Sequence, residues 1–171
     1  MNWIDRRFKF NFPVSIYPEL IKRLYSTPSR LEALISEIPP EILTIKRFNK
    51  WSIQENIGHL LTVESLFAGR LDDYIAGAAE LRPAQVNGRR TDCAEYNTWR
   101  IEKIVGDFKE NRLAYVKRLN DFRPEFFENQ SRHPRLAQPM RVCDMLYFQA
   151  EHDDHHINKI RHLIKNLTDS S

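Results

Sequence analysis

Glycine is scarce in this chain: there are five in 171 residues. None belongs to a Gly-x-Gly-x-x-Gly or phosphate-loop pattern, so nucleotide-binding folds lose their main sequence support. Cysteine is nearly absent. Cys93 and Cys143 form no Cys-x-x-Cys pair, which leaves a redox motif or a zinc ribbon without support. No apolar run approaches the ~20 residues of a membrane span. The N-terminus, Met1-Asn2-Trp3-Ile4-Asp5-Arg6-Arg7, lacks the apolar core of a signal peptide. These absences predict a cytoplasmic protein with no membrane partner. A dominant charge is missing too: 26 basic residues face 23 acidic ones, for a net charge of +3. The densest basic cluster is Arg89-Arg90, too short for a phosphate-backbone patch, so no nucleic-acid partner is expected.

What is present reads as one globular domain over residues 1–171, with 42% hydrophobic and 29% charged residues. Phe8, Phe10 and Phe12 alternate with Lys9 and Asn11, which predicts a short extended N-terminal arm (residues 1–17) laid on the body. A helical bundle is expected over 18–167, followed by a tail at 168–171. Its first helix starts near Pro18 and stops at Pro39-Pro40, with Pro28 expected to kink or divide it. Ser52-Ile53-Gln54-Glu55 is a capping box that opens a second helix running to about Gly77. A third helix runs from about Thr98 to Leu119 and a fourth from about Val142 to Leu167. Residues 78–97 form a long connection. Residues 120–140 form another, with one short turn around Pro124–Glu128. Four helical patterns without a clear sheet predict an all-α four-helix bundle. The long crossover connections suggest that it is not simply up-down-up-down.

The most informative residues lie in Ala150-Glu151-His152-Asp153-Asp154-His155-His156-Ile157. His152 and His156, spaced i and i+4, share one helix face. Val142, Met145, Gln149, Ile160, Leu163 and Leu167 continue that face, so it should be core. Neutral imidazole ligates zinc, nickel, iron or copper, and a buried pair of imidazoles wants a partner. A catalytic metal takes three protein ligands and leaves a position open. The best third candidate is His59, on a face of the second helix beside its main apolar stripe. Cys143 lies about half a turn from His152 around the helix and should not join them.

Trp51-Ser52-Ile53-Gln54-Glu55-Asn56-Ile57-Gly58-His59-Leu60 resembles the second-helix signature of the DinB/YfiT-like family. Glu151-His152-Asp153-Asp154-His155-His156 resembles its fourth-helix signature, and the helical plan fits over almost the whole chain. The resemblance implies a DinB-like bundle in which His59, His152 and His156 bind one divalent metal. It also implies a homodimer, and a small-molecule substrate for a thiol-dependent transferase or isomerase or a metal-dependent hydrolase, with a low-molecular-weight thiol as a further cofactor. Many relatives read His-His-Arg-Gly-Gln after the pair. This chain reads His155-His156-Ile157-Asn158-Lys159, which leaves the ligands untouched and removes the Gln.

Rival readings attach to the same letters. His152-Asp153-Asp154-His155-His156 resembles the zinc-protease motif with Asp for Glu, which would make Asp153 a general base. Asp153 more naturally orients a histidine. A carboxylate-bridged di-iron site needs Glu-x-x-His on two helices, and Glu55 to His59 is one residue too long. Glu55 is explained by capping, yet remains a catalytic candidate beside Asp153 and Arg141, an arginine that could face a substrate anion or pair on the surface. His155 is expected around the site, on the surface or at an interface. His133 is expected to be an ordinary linker residue, and Trp3 and Trp51 core or staple residues. The alternative to an enzyme is a helical module that acts through partners, its metal structural or absent.

Overall fold

The computed structural model describes residues 2–47, 50–84 and 89–168. The expected tail beyond Thr168 lies outside them. The helices are α1 (Tyr17–Ile35), α2 (Pro40–Leu43), α3 (Ile53–Ile75), α4 (Arg89–Cys93), α5 (Ile101–Asn120) and α6 (Val142–Thr168). Four of these are long. α1 packs against α5 and α6, and α3 packs against the same two. The neighbours around the bundle are therefore α1, α5, α3 and α6. The consecutive long helices α1 and α3 face each other across the diagonal, as do α5 and α6.

Direction follows from the core. One apolar cluster takes Leu20 and Leu24 of α1, Phe67 and Leu71 of α3, Tyr115 and Leu119 of α5, and Val142 and Leu146 of α6. The other takes Leu31, then Ile53 and Ile57, then Ile104 and Phe108, then Ile157 and Ile160. The starts of α1 and α6 lie at one end of the bundle and the starts of α3 and α5 at the other. The order is up-down-down-up. Parallel neighbours α3 and α5 need a connection that travels the bundle's length, which explains residues 76–100.

Between the two clusters each long helix contributes a buried polar residue. Thr27 of α1, Glu64 of α3, Arg112 of α5 and Gln149 and Asp153 of α6 meet there. Arg112 bonds Glu64 at 2.6 and 3.1 Å and Asp153 at 2.6 and 3.2 Å. Thr27 donates to Asp153 at 2.8 Å. This layer also bears on Pro28, where the alternative of a helix divided in two is not observed. α1 is continuous through that proline. Proline lacks the N–H that would bond the carbonyl of Leu24 four residues back. Arg112 Nη1 donates to that carbonyl instead, at 2.9 Å.

α3 begins with the expected box: Ser52 Oγ accepts from the Glu55 amide, and the Glu55 carboxylate accepts from the Ser52 amide. Gly77, at φ 65°, follows its C-terminal end. Ile75, the last residue of α3, is exposed. The second long connection holds the expected 3₁₀ turn at Pro124–Glu128. It also holds an antiparallel hairpin, β1 (Gln130–His133) with β2 (Gln138–Arg141), which the sequence reading missed. Residue Glu80 bridges to Arg132 of β1 in parallel. The N-terminal arm lies on the body as expected, with Phe8 buried and a 3₁₀ turn at Trp3–Asp5. Among the described residues no helix is long and apolar enough to cross a membrane.

Candidate metal centre

α3 and α6 are neighbours, and their contact brings His59 against His152 and His156. The ring centroids are 5.3 Å (His59–His152), 4.6 Å (His59–His156) and 4.7 Å (His152–His156) apart. One ring nitrogen from each lies within 4.8 Å of the others. The Nε2 atoms of His59 and His152 are 3.3 Å apart. Two nitrogens at about 2.1 Å from one ion stand roughly that far apart at a tetrahedral angle. His152 and His156 are buried and His59 is half-buried. Desolvation pushes all three rings toward the neutral form, His59 to about 4 and the other two well below their ordinary value; the charges of Lys159 and His155 add to this at His59, and neighbouring histidines add to it at His152 and His156. Neutral imidazole is the form that ligates.

Two of the rings have a partner behind them, while His152 Nδ1 is buried without one among the described residues. Asn56 Nδ2 donates to the carbonyls of Trp51 and Ser52, at 3.3 and 2.7 Å. That fixes its amide, so Oδ1 faces His156 Nδ1 at 3.0 Å and accepts. The proton of His156 therefore sits on Nδ1, and Nε2 keeps a free lone pair. His59 Nδ1 lies 2.9 Å from Thr91 Oγ1. These second contacts orient ligand rings.

Thr91 comes from α4, which packs on α3. Gly58 permits this. A Cβ there would stand 2.2 Å from the Tyr96 ring, and Tyr96 shares a 2.8 Å hydrogen bond with Thr62. Gln54 holds the same segment by donating to the carbonyls of Tyr96 and Trp99.

The three rings form part of the wall of a cavity of about 490 Å³. Trp51 packs on His59 at 4.7 Å, and Trp3 packs edge-on against His152 at 5.0 Å. Both tryptophans, expected to be core or staple residues, line the cavity. His155 lines it as well, with Nε2 free of any protein partner among the described residues. His133, read as an ordinary linker residue, is buried in β1 and lines the same cavity.

The three catalytic candidates lie elsewhere. Asp153 is on the far side of α6, bound to Arg112 and Thr27. Glu55 caps α3 and pairs with Lys46 at 2.6 Å. Arg141 pairs with Asp144 at 2.7 Å and donates to the Phe12 carbonyl. None of them lines the cavity. Cys143 is buried, with its thiol on the Val14 carbonyl, apart from the histidines as expected.

Asn56, Thr91 and His133 went unidentified in the sequence. For Asn56 a signal existed: it stands three residues before His59, one turn away on the same helix. For Thr91 and His133 the link is tertiary only.

A solved structure and a family profile place the chain. No curated protein matches it. Among solved structures, YfiT from Bacillus subtilis, described as a probable metal-dependent hydrolase with an unusual four-helix bundle topology, superposes with a TM-score of 0.83. The identity is 15%, over 95% of this chain and 94% of that one, a likeness of fold. The DinB superfamily profile matches residues 23–160. With that match over most of its length, this chain belongs to the DinB superfamily.

Proposed function

We propose that the chain is a metal-dependent enzyme in which His59, His152 and His156 hold one divalent transition metal, with zinc, nickel, iron and manganese as candidates. The observation that carries this reading is the convergence of three neutral imidazoles on the wall of a cavity large enough for a small-molecule substrate. Such an ion supplies Lewis acidity, which lowers the pKa of a water or a low-molecular-weight thiol. The relative YfiT, described as a probable metal-dependent hydrolase, supports the class.

The chain's own residues do the rest. Asn56 and Thr91 hold two of the rings in their ligating orientation. Trp3, Trp51, Val63, Leu66, Phe67 and Phe148 make much of the wall apolar, which lowers the local dielectric and strengthens electrostatic contacts inside. No carboxylate lines the cavity among the described residues; His155 does, and its Nε2, without a protein partner among those residues, is a group that can accept a hydrogen bond from the nucleophile.

The test is a turnover screen in two arms. Activated esters and amides probe attack by water. Glutathione, cysteine and related thiols with aryl halide electrophiles probe attack by sulfur. Metal-loaded wild type should exceed His156→Ala and chelated protein at least a hundredfold in one arm. Equal rates in both arms for all three proteins would overturn the enzymatic reading and favour a structural metal.

A further inference from the structure

We propose that the part of the cavity lined by Arg70, His133 and Arg135 is a subsite for the anionic group, carboxylate or phosphate, of an elongated apolar substrate whose reacting end lies at the three histidines. The subsite stands on its own observations; only the placement of the reacting end rests on the metal-dependent reading above.

Arg70 is 1% exposed and lines the cavity. Its Nε donates to the Arg82 carbonyl at 3.2 Å, and it has no ion pair among the described residues. Asp73, three residues on, is occupied by Arg82, which bonds it through Nε, Nη2 and the backbone amide. A buried guanidinium without a counter-ion is costly unless something else supplies the charge. Burial, with Arg135 nearby, pulls the Arg70 pKa down to about 10.

The neighbours have the same unmet need. Arg135 Nη1 donates to the Ile4 carbonyl at 2.7 Å, while its buried Nη2 has no partner among the described residues. His133 is 2% exposed. Its Nδ1 accepts the Leu136 amide proton at 3.1 Å, so the neutral ring carries its proton on Nε2. That N–H is buried and without a partner among the described residues. Burial, then the charges of Arg70 and Arg135, push the ring's pKa down to about 3, so it serves as a hydrogen-bond donor rather than as a charge. Arg70, Arg135 and the His133 N–H make three sets of donors with two positive charges; the wall's other cation, Lys159, is three residues from His156 on α6, and no carboxylate lines the cavity among the described residues, so this end is complementary to an anion.

Helix geometry sets the substrate's shape. Arg70 follows His59 by eleven residues on α3. At 100° per residue this returns to nearly the same face, roughly 16 Å along the axis. Helical side chains lean toward the N-terminus, so Arg70 leans back toward His59. Val63, Leu66 and Phe67 line the cavity between them. A molecule that fits has one polar reacting end, an apolar middle and an anionic end.

Calorimetric titration of the protein as purified tests this, with octanoate, octyl phosphate, octanol and octylamine as probes. At least one anion should bind tenfold or more tighter than octanol and octylamine, and octanoate against octyl phosphate identifies the head group preferred. Arg70→Gln and, separately, Arg135→Gln should each remove that preference while leaving octanol binding unchanged. His156→Ala should keep it, since a preference lost there alone would mean that the anion sits on the metal. Arg135 is half-buried, so its substitution carries the test if Arg70→Gln does not fold. No anion preference in wild type, a preference indifferent to both arginines, or one lost only in His156→Ala overturns the subsite. If the histidines prove metal-free and the arginine-dependent preference remains, the metal reading fails and the subsite stands.

Discussion

Asn56 decides which nitrogen of His156 faces the cavity. Its amide is locked by two backbone carbonyls, so Asn56→Leu removes the acceptor for Nδ1–H and frees the ring to turn. Metal affinity should fall 10- to 100-fold, read by competition with a chromophoric chelator; an unchanged affinity would show that Asn56 does not orient the ligand. The ligands themselves were legible because i and i+4 on one helix is local information, and because the capping motif beside His59 marks where its helix begins. Thr91 and His133 were not. Each reaches the site through a fold-level contact, Thr91 by α4 packed on α3 and His133 by a hairpin, and no local spacing encodes either.

Among the elements, α5 contributes the arginine that ties the bundle's middle together. Arg112 neutralises charge on Glu64 and Asp153 and satisfies the carbonyl that Pro28 leaves without its helical donor. Burial and the charge of Asp153 push the Glu64 carboxyl up, against the pull of Arg112. Arg112→Met should cost about 3–5 kcal/mol in urea denaturation, as expected when one partner of a buried ionic group is removed; a loss below about 1 kcal/mol would show that the layer is replaceable. At the start of α3, Gly58→Ala should cost about 1–3 kcal/mol through overpacking on Tyr96, with weakened metal affinity as Thr91 is displaced, measured by the same urea denaturation and chelator competition. The long helices were legible from their period and caps. The hairpin was not, because Gln130–His133 and Gln138–Arg141 are short and polar and carry a proline at an edge position.

For the molecule as a whole, the two apolar clusters are built without the histidines. Chelation at neutral pH should therefore lower the melting temperature by mass action yet leave the helical circular dichroism spectrum intact; unfolding on chelation would assign the metal a structural role. Acid should act differently. Burial pushes His59 and His155 down to about 4 and His133 to about 3, and holds His152 and His156 low. Below pH 6.5 the unfolded chain takes up protons that the fold refuses. The stability held by these neutral rings is thus complete above pH 6.5 and is lost as pH falls toward 4. A ring like that of His59 loses on the order of 1 kcal/mol by pH 5.5. The urea midpoint of chelated protein should fall steadily from pH 7 to pH 5, and a flat profile would contradict neutral burial.

The up-down-down-up order was only partly legible. The long connections showed that neighbouring helices are not all joined by short turns, but which helices pair depends on how two apolar clusters close across the bundle. The central claim, three histidines converging on one ion, is tested most directly by metal content. Mass spectrometry on untagged wild type, beside His59→Ala and His156→Ala, should find near-stoichiometric metal in the wild type and its loss in both variants. Wild type without metal, even after reconstitution with zinc, nickel, iron or manganese, or variants that retain it, would contradict the account.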